Sequence, residues 1–174
     1  MSFTPTRILI GSATLVSDTA IVTFENISQR YDDLEFYISA RAGSGSSGGG
    51  SVRAQLGGGS YSQRTAYGAG ISGTFGASGT TTDFIRVASS VNPGDAAGYS
   101  VDRTILFNYS SASVNKTAWA RAAQPNFGSS AASFHLDTQS TWYSSAPVTR
   151  ITFQRDGLGT FAAGSRFQIY GIGR

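Results

Sequence analysis

The sequence predicts an all-β protein, one antiparallel sandwich of about eight to nine short strands, and three observations lead there. Apolar residues recur with period two along run after run, which places successive side chains on opposite faces of a sheet. Gly, Ser and Thr supply 65 of the 174 residues, and they cluster between those runs as turn chemistry does. Charged residues make up only 13% of the chain, against about 25% in an ordinary soluble domain, so helices with solvated faces are not affordable here. With 40% hydrophobic and 12% aromatic residues, the chain is also too apolar for a disordered polar tract.

The runs follow in order. Residues 19–25 set Ala20, Val22 and Phe24 against Ile21, Thr23 and Glu25. Residues 34–41 put Leu34, Phe36, Ile38 and Ala40 on one face and Glu35, Tyr37, Ser39 and Arg41 on the other. Val52, Ala54 and Leu56 alternate with Arg53 and Gln55, and a further run at 83–88 carries Phe84, Ile85 and Val87. Residues 99–107 alternate through Tyr99, Val101, Arg103, Ile105 and Phe107. Runs at 117–123 around Trp119, at 133–138, at 148–154 and at 165–172 complete the set. The only helical candidate is a polar turn at Gln29–Asp33, capped by Ser28, with a crossover loop as the equal alternative.

Gly-rich stretches at 42–51, 57–60 and 68–80 break the pattern and read as loops, as do Asn92-Pro93-Gly94-Asp95 and Asp156-Gly157. The 42–51 tract is not a linker between domains, because the strands flanking it each have one apolar face and need each other's sheet. At this length folding buries roughly 70% of the unfolded surface. One domain spanning 1–174 is expected, with residues 1–10, which include Pro5, as an N-terminal arm.

Composition excludes several function classes. The chain has no Cys, one His (His135) and two Glu (Glu25, Glu35), so thiol chemistry is out and the stock for acid–base or metal chemistry is small. No cofactor and no metal are expected. The net charge of +3 rests on twelve Arg and one Lys, Lys116, but Arg7, Arg30, Arg41, Arg53, Arg64 and Arg86 stand as singletons. Phosphate tracking needs contiguous charge, so no nucleic-acid partner is expected. No stretch has the about 18 apolar residues of a membrane span, and the opening Met-Ser-Phe-Thr-Pro-Thr-Arg lacks a secretory lead. The expectation is a protein made in a cytoplasm, without a membrane partner.

Several motifs mimic chemistry. Gly43, Gly45 and Gly48, and again Gly68, Gly70 and Gly73, fit G-x-G-x-x-G, but neither is followed by a helix that could hold a pyrophosphate. Gly45-Ser46-Ser47-Gly48-Gly49 fits G-x-S-x-G without the strand-to-helix elbow that strains the nucleophile. His135 and Asp137 would share one strand face about 7 Å apart, too far for an orienting hydrogen bond. Asp32, Asp33 and Asp95 read as solvated turn acids. Trp142 and Tyr143, with Tyr61, Tyr67 and Tyr109 at loop borders, are the candidate ligand contacts. Aromatic faces beside hydroxyl-rich loops suit sugar rings, and they equally suit the edge of a core or a subunit interface.

Two segments carry a resemblance. The first runs Ala20-Ile21-Val22-Thr23-Phe24-Glu25-Asn26-Ile27, then Gln29-Arg30-Tyr31-Asp32-Asp33-Leu34 and Ile38-Ser39-Ala40-Arg41. The second is Ile151-Thr152-Phe153 with the close Phe161-Ala162-Ala163-Gly164-Ser165-Arg166-Phe167-Gln168-Ile169-Tyr170-Gly171-Ile172. With Val52–Leu56 and Tyr61-Ser62-Gln63-Arg64, they resemble a diverse group of tailed-bacteriophage virion proteins. That group opens on "I-T-F … I … Y-D-L … S-x-R" and closes on "F-x-x-G-S-x-F-x-L-Y-G-I". The resemblance runs from about residue 8 to residue 172. It implies a sandwich of jelly-roll type, often trimeric, found on tail fibres and as head decoration (cement) protein, with no catalytic residues to carry over.

The expectation is therefore a non-enzymatic virion protein exposed on the particle surface. It would be a homotrimer that cements the head through the major capsid protein or other virion proteins. With no shaft sequence in front of the domain, head decoration is favoured over a fibre. The alternative is a receptor-binding tip that holds a host glycan with loops 42–51 and 68–80, Trp142 and Tyr143.

Overall fold

The computed structural model describes residues 6–43, 50–69, 74–82, 84–90, 98–124, 134–155 and 159–173. Among these lie twelve strands and no helix: β1 (Thr6–Thr14), β2 (Ile21–Phe24), β3 (Asp33–Ser39), β4 (Gly50–Gln55), β5 (Tyr61–Ala69), β6 (Thr74–Thr82), β7 (Ile85–Ser90), β8 (Val101–Phe107), β9 (Lys116–Gln124), β10 (Phe134–Trp142), β11 (Ile151–Arg155) and β12 (Arg166–Gly173). They form two antiparallel sheets, an eight-stranded one in the order β1-β12-β3-β8-β9-β10-β5-β6 and a four-stranded one in the order β2-β11-β4-β7. The predicted all-β sandwich is the fold.

Eight strands pair in nested fashion: β1 with β12, β2 with β11, β3 with β8, and β4 with β7. The remaining four form two hairpins, β5–β6 and β9–β10, which widen the large sheet beyond β8. The hairpin β5–β6 and the opening strand β1 raise the count above the expected eight or nine, since β9 and β10 coincide with the runs at 117–123 and 133–138.

The core lies where the two sheets face each other. Leu34, Phe36 and Ile38 of β3 and Phe167 and Ile169 of β12 are buried against Ile151 and Phe153 of β11, Val52 and Ala54 of β4, and Ile85 and Val87 of β7. Phe153 is the hub. Its ring meets Phe36 edge-on at 5.6 Å, Phe24 at 6.1 Å and Phe167 at 5.5 Å. Edge-on and tilted contacts suit the quadrupoles of aromatic rings and add to the area they bury.

Three expectations need correction. Residues 6–10 are no arm; they open β1, whose ladder to β12 runs from Thr6 to Thr14 with an irregularity between Leu9 and Gly11. The Gly-rich stretch 68–80 is not one long loop. Its ends belong to β5 and β6, which pair residue for residue from Tyr61–Thr82 to Ala69–Thr74, while residues 70–73 lie outside the described residues. Backbone hydrogen bonds make that ladder, so it forms without the apolar alternation that betrays other strands. The 42–51 stretch ends inside β4, Ala42 bridges to Phe161, and residues 44–49 lie outside the described residues.

In β8 the more apolar face is the outer one. Val101, Arg103, Ile105 and Phe107 line the outside of the large sheet, and Asp102, Thr104 and Leu106 point inward, at 1%, 1% and 0% exposure. Inward polar groups are tolerated because they are bonded: Thr104 Oγ1 donates to the Val87 carbonyl and Ser100 Oγ to Asp102. Residues 29–32 form bends, so the crossover-loop reading of Gln29–Asp33 holds. Gln29 Nε2 ties that crossover down by donating to the Ile27 and Val148 carbonyls.

Candidate interaction face

Among the described residues, the outer face of the large sheet carries the densest constellation of charged and aromatic side chains. The β ladder sets it out in rows. One row runs Leu9, Tyr170, Glu35, Ile105, Trp119, Gln139 and Arg64, from β1 across β12, β3, β8, β9 and β10 to β5. The adjoining row runs Gln168, Tyr37, Arg103, Arg121 and Asp137. Residues in one row or diagonal across two rows are close enough for long side chains to meet.

Two Arg–aromatic–carboxylate groups result. In the first, the Glu35 side chain is 2% exposed beneath two arginines: Arg7 Nε stands 2.8 Å from Oε2, and Arg103 Nε donates to Oε1. The Tyr37 hydroxyl donates to Oε1 at 3.1 Å. The Arg7 guanidinium lies 4.4 Å from the Tyr37 ring centre and 4.1 Å from that of Tyr170, and those rings meet edge-on at 5.8 Å. In the second, Asp137 accepts the indole N–H of Trp119 at 2.8 Å and Arg121 Nε at 3.3 Å, with Arg121 4.8 Å from the Trp119 ring centre. The hydrogen bond to Glu35 holds the Arg103 guanidinium above the ordinary arginine pKa, against a smaller opposing effect of burial.

Arg is better suited than Lys to such sites, because its planar fork can stack on a ring and bond a carboxylate at once. Exposed Tyr, Trp and Arg are also the residues enriched where proteins meet.

The aromatic residues singled out from the sequence as ligand contacts fall elsewhere. Trp142 is 3% exposed and belongs to the core; it stacks on Tyr61 at 6.0 Å and donates its indole N–H to the Gly58 carbonyl at 3.2 Å. The chain can pass so close because Gly59 has φ of +130° and a Cβ there would lie 2.9 Å from the indole nitrogen. Trp142 thus offers no face to a ligand. Tyr143 is 55% exposed, and its hydroxyl pairs with Ser62 Oγ at 2.9 Å. Tyr61 and Tyr109 are fully buried; burial raises the Tyr109 pKa, and its hydroxyl donates to the Ser28 carbonyl.

His135 sits in β10 opposite Gly68 and Ala123, and its side chain lies outside the described residues. Asp137 is engaged by Trp119 and Arg121, which makes it part of the face. Asp33 Oδ1 accepts the Asn108 N–H at 2.8 Å, and Asp95 is not among the described residues. Gly45, Gly48, Gly70 and Gly73 are likewise not described, but strands β4 and β6 follow the two Gly motifs, not helices. Among the described residues no three His, Cys, Asp or Glu side chains are grouped to hold a metal. No helix there is long and apolar enough to cross a membrane.

At the other end of β3, β8 and β12 the same face dips into a shallow groove of about 440 Å³, lined by Tyr37, Ser39, Tyr99, Val101, Arg166 and Gln168 among others. Comparison with protein-family models, with curated proteins and with solved structures finds no match to this chain.

Proposed function

We propose that this chain is a non-enzymatic structural protein of a tailed-phage particle, a decoration protein that stabilises the head through protein–protein contacts. The observation that carries the reading is the outer face itself. Arg7, Arg103, Arg121, Tyr37, Tyr170 and Trp119 give one side of a rigid sheet the composition of a protein interface. The nested strand pairing supports it. A long antiparallel ribbon rolled up on itself pairs first strand with last and second with last but one, which is the winding of a jelly roll, an architecture used in viral capsids. The sequence resemblance to phage virion proteins points the same way, and it favours a homotrimer, whose closed symmetry would cover edges such as β1.

The reading is tested by labelling intact particles with antibody to the purified protein and by adding the protein back to heads that lack it. Label over the head and a gain in particle stability on rebinding are expected. Absence of the protein from purified particles would refute it. A second reading, a domain that binds host glycan, draws on the groove beside Tyr37 and Tyr99, since Trp142 is buried. It predicts adsorption to host cells that free protein blocks.

A further inference from the structure

The centre of the outer face holds an arrangement that folding alone disfavours. Arg103 of β8 and Arg121 of β9 are direct partners in the ladder, and like charges at opposed positions weaken an antiparallel pair. Each is restrained from its far side by one carboxylate, Glu35 or Asp137.

What the face shows to the outside is nevertheless cationic. The side chains of Arg7, Arg103 and Arg121 are 42%, 54% and 69% exposed, whereas that of Glu35 is 2% exposed and that of Asp137 44%. Arg64 and Arg166 are exposed on the same side. Apolar groups lie among them: Val101 is 71% exposed, Leu9 48%, and Ile105 and Trp119 are half-buried.

Resting on the reading of this face as a protein-binding surface, we propose that Arg103 and Arg121 receive carboxylates from an acidic segment of a partner protein. The flanking Ile105 and Trp119 support the aliphatic part of that segment. Each guanidinium is planar and multidentate; Glu35 draws one and Asp137 the other to opposite sides of the β8–β9 pair, so an acidic segment lying across these strands meets both. A second copy docked face to face would bring arginines against arginines, so the occupant is a different surface. A nucleic-acid backbone fits poorly, because the exposed aliphatics Val101 and Leu9 meet nothing on a phosphate chain.

The test uses the full chain and an acetylated hexaglutamate peptide, read by tryptophan fluorescence. Trp119 lies at the proposed site, and the buried Trp142 gives a constant background. We expect saturable binding that weakens as salt is added. Arg121→Gln should weaken it about fivefold and Arg103→Gln with Arg121→Gln more than tenfold, while Arg150→Gln, outside the large sheet, leaves it unchanged. Circular dichroism checks that each variant is folded, and Arg121→Gln alone, at an exposed position, carries the test if the double variant is not. Hexaglutamate binding by Arg121→Gln equal to wild type, or binding of a twelve-residue oligothymidylate as tight as that of hexaglutamate, would overturn the inference. Loss of peptide binding with particle labelling retained would overturn this inference alone. Peptide binding by a protein absent from particles would overturn only the phage assignment.

Discussion

Replacing Glu35 by Gln probes the account at its most constrained point. The side chain keeps its shape and one acceptor oxygen but loses the charge that Arg7, Arg103 and the Tyr37 hydroxyl converge on. Removing one member of a fully buried ion pair costs about 3–5 kcal/mol. Here the carboxylate is buried but the arginines are 42% and 54% exposed, so water takes up much of what they lose. Each ion pair is then worth about 0.5–1 kcal/mol. Loss of charge assistance in the Tyr37 bond adds about 1 kcal/mol. The expected destabilisation is about 2 kcal/mol, read as a lower urea midpoint at unchanged slope, and a fall in Tm of about 4–8 °C for a chain of this length. The wild type should also lose more stability than the variant as salt rises. A variant within about 0.5 kcal/mol of wild type would refute the reasoning, since Glu35 would then not organise the face.

Other positions give sharper contrasts. Lys116 is fully buried with its ammonium donating to the Ser111, Val114 and Ser145 carbonyls, at 2.6, 2.9 and 2.8 Å. Lys116→Met should cost about 2–4 kcal/mol in urea unfolding by leaving those carbonyls unpaired. Burial also lowers the Lys116 pKa, so the unfolded chain binds the proton more strongly. The unfolding free energy of wild type relative to Lys116→Met should therefore rise with pH over the window between the folded value and the ordinary lysine value of about 10.4. Trp142→Ala should destabilise by about 3–5 kcal/mol as a core truncation, while Tyr143→Ala should stay within about 0.5 kcal/mol; thermal melts separate the two. Gly59→Ala should cost about 1–3 kcal/mol, because the new methyl meets the Trp142 indole in a backbone conformation that Ala resists; equal melting to wild type would contradict that contact.

The sandwich was readable because its central strands alternate without ambiguity. Leu34, Phe36, Ile38 and Ala40 are all inside, as are Val52, Ala54, Phe167 and Ile169. Alternation separates two faces but does not say which is inward. In β8 the outward face holds Val101, Ile105 and Phe107, while the inward one holds Asp102, bonded by Ser100, and Thr104, whose hydroxyl reaches the Val87 carbonyl on another strand. The β5–β6 ladder has no apolar rhythm to reveal it. Trp142 and Tyr143 are alike beside one another in sequence, yet Trp142 ends β10 facing the core and Tyr143 follows it outside the strand, and only the Gly57–Gly59 turn shows which is covered. Glu35, Tyr37 and Arg103 were visible as residues. Their meeting depends on β12, β3, β8 and β9 being neighbours, a fact of long-range pairing that no local pattern encodes.

Hydroxyl-radical footprinting of the protein in purified phage particles and free in solution is the measurement closest to the claim that this molecule works by pressing its wide sheet against other proteins. Tyr37, Trp119 and Tyr170 should be shielded in the particle and oxidised in the free protein. Equal oxidation of those three side chains in both states would contradict the account.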